Sequence, residues 1–191
     1  MRNRYHIPKK GFPTPMIRDW TLISKKLEKD YRIFQVWEKQ ARSPRTGNTL
    51  DVKAIHINPW AMILAITPED EAVMVRQYRH GIEQVCLELP GGLLDPEDSS
   101  PAAAARRELQ EETGYGVSDI LDLGECFPQP AVLNNKGYFF LGTDAKQVTL
   151  CHPLMKGKTS TSSSCRLIRF RASLKKTKSP TVWLCWPFSF T

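Results

Sequence analysis

The run Pro101-Ala102-Ala103-Ala104-Ala105-Arg106-Arg107-Glu108-Leu109-Gln110-Glu111-Glu112-Thr113-Gly114 constrains this chain more than any other segment. Proline suits the first helical position, where its missing N–H costs nothing, and alanine has the strongest helix propensity. Ser99 or Ser100 can cap the helix by accepting a backbone N–H, and Gly114 can take the left-handed conformation that stops it. The sequence therefore predicts one strong helix starting at Pro101, entered from a loop that begins Gly91-Gly92. On that helix Glu108 and Glu112 are four residues apart and share a face, with Glu111 beside them. Oxygen donors so spaced suit a hard divalent cation, with Glu111 able to hold a second ion or a metal-bound water. A solvated acidic face would carry the same letters, and for an isolated glutamate pair that explanation is the better one. The glycine loop running into the helix favours the metal.

Charge is spread unevenly over the 191 residues, whose formal net charge is +7. All 20 acidic residues lie at or before Asp144, against 18 Lys and Arg there, a net −2. Residues 145–191 hold nine Lys and Arg and no acid, a net +9. The basic balance belongs to a tail, so it gives no ground for assigning nucleic-acid binding to the body of the chain. The length suits a single domain with an N-terminal arm. No apolar run is long enough to span a bilayer, and the first thirty residues lack the hydrophobic stretch of a signal peptide. The five cysteines (Cys86, Cys126, Cys151, Cys165 and Cys185) are odd in number and lack metal-ligand spacing. They read as free thiols in a reducing compartment, which makes the cytoplasm the expected location. Cys86 reads as a small buried apolar residue, and His80 has no partner in the sequence that would make it a base.

Along the chain, residues 1–18 are basic and proline-rich and form a loose lead-in. Strands are expected at Trp20–Ser24, Tyr31–Trp37 and Leu50–Ile57, with a turn at Ser43–Asn48 between the last two. Further strands are expected at Ala61–Thr67, Ala72–Tyr78, Val85–Leu89, Val117–Phe127 and Lys136–Gly142. The organisation is then a lead-in and strand arm over 1–57, a core over 58–144 and a tail over 145–191.

The stretch from Gly92 to Gly114 resembles the signature of the Nudix hydrolases. That signature is a glycine, five residues, a glutamate, seven residues, then Arg-Glu-aliphatic-any-Glu-Glu-any-Gly. Arg107 to Gly114 meets every fixed position of the second half. The first half departs, because Asp98 stands where the glutamate is due and eight residues separate it from Arg107. A one-residue loop insertion accounts for this and places Glu97 or Asp98 in the role of the first glutamate. The resemblance implies an α/β/α sandwich with a mixed sheet and an N-terminal strand arm. It also implies Mg²⁺, or Mn²⁺, held by Glu108, Glu112, Glu111 and the carbonyl of Gly91, with Arg107 orienting the carboxylates.

Val75-Arg76-Gln77-Tyr78-Arg79-His80 and Leu87-Glu88-Leu89-Pro90-Gly91-Gly92 narrow the resemblance to the branch that hydrolyses ADP-ribose and other nucleoside diphosphate sugars. In that branch the arginine after Gln-aromatic holds the substrate diphosphate, a role that falls on Arg79. Its planar fork of donors matches phosphate oxygens, although a surface ion pair explains the residue equally well on chemistry alone. Glu88 is expected to face the site, and Pro130, fifteen residues past Tyr115, marks a loop that borders the sugar. Phe34 is implied to stack on the base, whereas an aromatic in a strand is more often core. N-terminal strands in this branch commonly cross to a second subunit, so the resemblance implies a homodimer acting on a small nucleoside diphosphate. NADH, a GDP-sugar or another dinucleotide fits the same signature, and so does a catalytically impaired module that binds a nucleotide.

The tail departs from the family, which continues with an acidic loop, a strand and a closing helix. Here Thr159-Ser160-Thr161-Ser162-Ser163-Ser164 and the aromatics Trp183, Trp186, Phe188 and Phe190 follow no period. It is either a genuine basic tail or the product of a reading-frame shift near residues 146–154. With codons begun one nucleotide earlier, Met155 to Ser160 become compatible with Asp-Glu-Gly-Glu-Asp-Ile, and Ser162 to Cys165 with four apolar residues. The same frame permits an apolar helix from Lys178 to Phe190. An intact frame on resequencing the gene would dispose of the second explanation.

Overall fold

Residues 18–149 and 164–169 are described by a computed structural model, and they fall into two units. The expected lead-in before residue 18 and most of the tail lie outside the described residues, and so does most of what the frame-shift reading rests on, apart from residues 146–149, Ser164 and Cys165.

The first unit comprises the chain up to Trp60 together with Glu125–Tyr138. Its centre is an antiparallel meander of β1 (Thr21–Asp30), β2 (Gln35–Arg42) and β3 (Thr49–His56), in that order. The Ser43–Asn48 turn forms as the sequence requires. The Ser43 N–H donates to the Asn48 carbonyl at 2.9 Å, and Gly47 adopts φ 75, which only glycine takes without cost. A second segment is strapped to the end of β3, where the Ile55 N–H donates to Val132 O at 2.9 Å and Asn134 Oδ1 accepts from the Ile57 N–H at 3.0 Å.

Two expectations need correction here. β1 does not stop near Ser24 but runs ten residues to Asp30, through Lys25-Lys26-Leu27-Glu28-Lys29, all exposed. A strand wet on both faces carries no alternation of apolar and polar side chains, so nothing in the letters marks it. Residues 31–34, expected to open the second strand, instead make the turn, with Arg32 at φ 69 and the Tyr31 N–H donating to Phe34 O at 2.9 Å.

The second unit comprises Ala61–Gly124 and the chain from Phe139 onward. It is built on a seven-stranded sheet containing β4 (Trp60–Ile66), β5 (Glu71–Arg79), β9 (Asp119–Cys126), β10 (Gly137–Thr143) and β12 (Ser164–Arg169). Their order is β12-β5-β4-β10-β9, while β6 (Gln84–Glu88) pairs with β5 and β7 (Gly91–Leu93) with β4. Two short strands, β8 (Tyr115–Gly116) and β11 (Lys146–Gln147), pair separately. β12 lies within the stretch that showed no period, and its backbone pairs antiparallel with β5, Cys165 opposite Val75.

A single helix, α1 (Pro101–Thr113), occurs among the described residues. Of the two candidate caps the structure uses Ser100, whose Oγ accepts from the Ala103 N–H at 3.1 Å. Gly114 ends the helix in the left-handed region at φ 74, its N–H donating to Gln110 O. Ala104, Ala105 and Leu109 bury one side of α1 in a core with Ala61, Ile63 and Ala65 of β4 and Val73 and Val75 of β5. Apolar burial of this kind contributes about 25 cal/mol per Å², so the small alanines serve mainly to bring helix and sheet close. Thr113 closes the last buried turn, its hydroxyl donating to Leu109 O and accepting from the Tyr115 N–H.

The cap can be tested directly. Ser100→Ala should lower the free energy of unfolding by about 1 kcal/mol, the usual worth of an N-cap hydroxyl, as read from denaturant midpoints at unchanged slope.

Candidate active site

The helix and the glycine turn before it bring the expected acidic residues together. Glu108 is almost wholly buried, at 2% exposure, although it is a carboxylate on a helix that elsewhere meets solvent. Such a charge must be compensated, and Arg107 compensates it. The Arg107 Nη1–H donates to Glu108 Oε1 at 2.9 Å and to Glu111 Oε2 at 3.3 Å. On its other side the same guanidinium grips Asp98, Nε to Oδ1 at 3.0 Å and Nη2 to Oδ2 at 2.9 Å. Asp95 adds an oxygen at 3.3 Å and the Leu93 carbonyl another at 3.3 Å. One arginine therefore joins the loop to two glutamates of the helix.

Of the two residues allowed for the first glutamate, Glu97 and Asp98, Asp98 is the one that Arg107 holds. The Arg107 hydrogen bonds hold its carboxyl well below the usual aspartate range, at about 2, and Asp98 in turn raises Arg107. Arg106 has a different task, donating to the carbonyls of Val117 and Ser118 and so tying the helix to the chain that follows it.

Gly91 and Gly92 are required by close approach. A Cβ on Gly92 would enter the Glu108 carboxylate, and one on Gly91 would strike the Ala61 carbonyl. The Gly91 N–H donates to Glu112 Oε2 at 3.1 Å, which places Glu112 against the turn. The Ile63 N–H fixes the turn to β4 by donating to Pro90 O at 3.0 Å.

Arg79 and Glu88 form a bidentate ion pair, with Nε 3.0 Å from each carboxylate oxygen. Glu88 lies opposite Val75 in the β5–β6 register, so Arg79 reaches back along the hairpin to meet it. Glu88 raises the Arg79 guanidinium most, and the negative charge of Glu112 adds to the effect, which links this pair electrostatically to the helix. His80 lies edge-on to Tyr78, and Cys86 is half-buried, not the buried residue expected. Phe34 and Pro130 belong to the first unit. Phe34 packs on Tyr31 at 4.9 Å between ring centroids, and Pro130 is exposed in the turn from Gln129 to Leu133.

Carboxylate oxygens on adjacent helical turns, beside glycines without Cβ atoms, have the donor chemistry of a Mg²⁺ or Mn²⁺ site. In this structure the carboxylates are engaged by the protein's own donors. Among the described residues no three His, Cys, Asp or Glu converge closely enough to hold an ion. Arg107 draws Glu108 and Glu111 toward itself while Glu112 turns to the Gly91 N–H.

Residues 57–173 match the NUDIX domain, and the chain belongs to this family. Among its relatives, an ADP-sugar pyrophosphatase of Mus musculus is 35% identical over 117 residues, covering 61% of this chain and 48% of that protein. An ADP-ribose pyrophosphatase of Mycobacterium tuberculosis is 31% identical over 130 residues, covering 68% and 62%. The chain spans about half the length of several relatives it matches, 44% for an ADP-ribose pyrophosphatase of Bacillus subtilis. The crystal structure of an ADP compounds hydrolase shares the fold at a TM-score of 0.66 and 22% identity, covering 81% of this chain and 79% of that one. No described helix is long and apolar enough to cross a membrane.

The Asp98–Arg107 pair generates a pH dependence of known sign. A carboxyl whose folded-state value is depressed contributes stability above its ordinary value of 3.8, and that stability is lost as pH falls toward about 2. Asp98→Asn should cost about 1–2 kcal/mol at neutral pH, a discounted figure for a charged hydrogen bond at a partly wet arginine. It should also flatten the fall in unfolding temperature between pH 4 and pH 2 that is expected of the unaltered chain.

Proposed function

We propose that this chain hydrolyses the diphosphate bond of ADP-ribose or a related nucleoside diphosphate sugar, releasing AMP and a sugar phosphate. The observation that carries the proposal is the buried Glu108, held by Arg107 beside Glu111 and Glu112 on a helix entered through a glycine turn. The names of the ADP-ribose and ADP-sugar pyrophosphatases among its relatives support the substrate class.

Glu108, Glu112 and Glu111, with the Gly91 carbonyl, would hold Mg²⁺ or Mn²⁺. A cation bound there supplies positive charge against the diphosphate and lowers the pKa of a bound water. Arg107 holds Glu108 and Glu111 in place through its ion pairs with them. Arg79 would leave Glu88 for the diphosphate oxygens, and Glu88 would remain at the rim of the site. Water adds to phosphorus, the bridging P–O bond breaks toward the leaving phosphate, and the water proton passes to a base. Pro130 and Phe34 are assigned to the sugar and the base of the substrate on resemblance. A homodimer built through the β1–β3 arm, and a cytoplasmic location, complete the reading.

One observation favours a second function, a module that binds the nucleotide and turns it over poorly. No Asp or Glu follows Asp144, so the stretch after it carries no carboxylate to serve as that base. The reading-frame explanation of residues 145–191 belongs with this second function, since it accounts for the missing acids.

Purified full-length chain offered ADP-ribose, NADH and a GDP-sugar with Mg²⁺ should release AMP fastest from ADP-ribose. Glu112→Gln should lower that rate roughly 100-fold or more, the scale on which a single positioned charge contributes to catalysis. Near-normal turnover by the variant in saturating Mg²⁺ overturns the assignment. Saturable ADP-ribose binding without AMP release selects the second function.

A further inference from the structure

We infer that the first unit carries a phosphate-binding site on the face of its sheet that presents Lys25, Lys39, Trp37 and His56. Residues directly opposite in an antiparallel pair share a face, and every second residue along a strand returns to it. Lys25 is opposite Lys39, Trp37 is opposite both Leu27 and Ala54, and His56 is opposite Gln35. The four side chains are thus neighbours across three strands. Lys25 Nζ sits 4.2 Å from the centroid of the Trp37 ring, and the His56 ring stacks on the same indole at 5.3 Å, tilted by 29°. The indole is itself anchored, its Nε1–H donating to Gln35 Oε1 at 3.0 Å.

The arrangement is electrostatically incomplete. Like charges placed directly across a ladder repel, and here one of them, Lys39, is also partly withdrawn from water while Lys25 is exposed. Burial lowers Lys39, and the charge of Lys25 lowers it further. His56 is lowered by burial, then by Lys39 and Lys25, and its Nε2 is buried without a hydrogen-bond partner. Among the described residues neither lysine is in an ion pair with a carboxylate. Asp30, opposite Gln35, is already engaged by the Gln35 amide at 2.8 Å and the Arg32 N–H at 2.7 Å. The opposite face of the same sheet is built differently. Glu38 lies across from both Lys26 and Lys53, Lys53 is paired with Glu28 and with Glu38 at 3.4 Å, and Gln40 donates to Asp51. Acids thus pair with a lysine on one face, while on the other the single acid that the register brings in, Asp30, is taken up by Gln35 and the Arg32 N–H and not by a lysine.

A phosphate group supplies what the bare face lacks. Its two negative charges balance two ammonium groups, its oxygens accept their N–H donors, and a neighbouring anion favours a proton on His56. A carboxylate would neutralise only one lysine. The site takes inorganic phosphate or a phosphate monoester, and it stands apart from the hydrolytic reading, since none of its residues serves that reaction.

The test follows the His56 ring resonances and the thermal midpoint of the full-length chain on titration with inorganic phosphate or glycerol phosphate. Chloride at matched ionic strength is the control. Phosphate should raise both the His56 pKa and the midpoint in a saturable way, and chloride should not. Lys39→Gln and Lys25→Gln should each weaken this binding about tenfold or more, the loss of one charge-assisted hydrogen bond. Without phosphate either variant should be at least as stable as the parent, because a repulsion is gone. Arg79→Ala, which removes the other candidate phosphate ligand, should leave the His56 response in place. A response matched by chloride, or one that survives Lys39→Gln and Lys25→Gln, overturns the site. So does a Lys39→Gln effect confined to self-association in sedimentation, which would assign the face to a second copy of the chain.

Discussion

The contact on which the rest of the acidic cluster depends is the guanidinium of Arg107. Burying Glu108 on a helix would cost several kcal/mol if its charge were left alone. Arg107 removes that cost and simultaneously draws in Asp98 and Glu111, so a loop, a helix and a carboxylate triad share one cation. A lysine at this position would supply a charge but not the fork that meets Asp98 with two nitrogens and still reaches Glu108 with a third. The glycines matter for a related reason. With no Cβ at Gly92 the backbone passes directly over the Glu108 carboxylate, which is how a short turn and a helix can meet without a gap.

Much of this was legible in the letters, and the reasons are local. Proline, four alanines and a terminal glycine fix a helix almost without help from tertiary structure, and α1 begins at Pro101 and ends before Gly114 as they require. Which of Ser99 and Ser100 caps the helix, and which of Glu97 and Asp98 meets Arg107, was not legible, because both depend on how the loop before the helix folds back. Strands with buried faces, such as β4 and β5, announce themselves through apolar runs. β1 does not, since its ten residues are exposed, and residues 31–34 read as strand because Tyr31, Ile33 and Phe34 are strand-favouring residue types, although they form a turn.

Pairing between charged side chains was the least visible property. Arg79 and Glu88 are nine residues apart, and only the β5–β6 hairpin makes them partners. The segregation of charge on the β1–β3 meander is similarly hidden, because Lys25, Lys39 and Lys53 look alike in sequence. Register alone sends the third to the side with glutamates and leaves the other two facing each other.

The Arg79–Glu88 pair also bears on recognition. An arginine that already owns a planar, doubly bonded partner offers an incoming anion no free positive charge, only an exchange of one fork for another. Stray monovalent ions gain little from such a trade. A group that can match both nitrogens at once gains most, so selectivity is built into the resting arrangement before any ligand arrives.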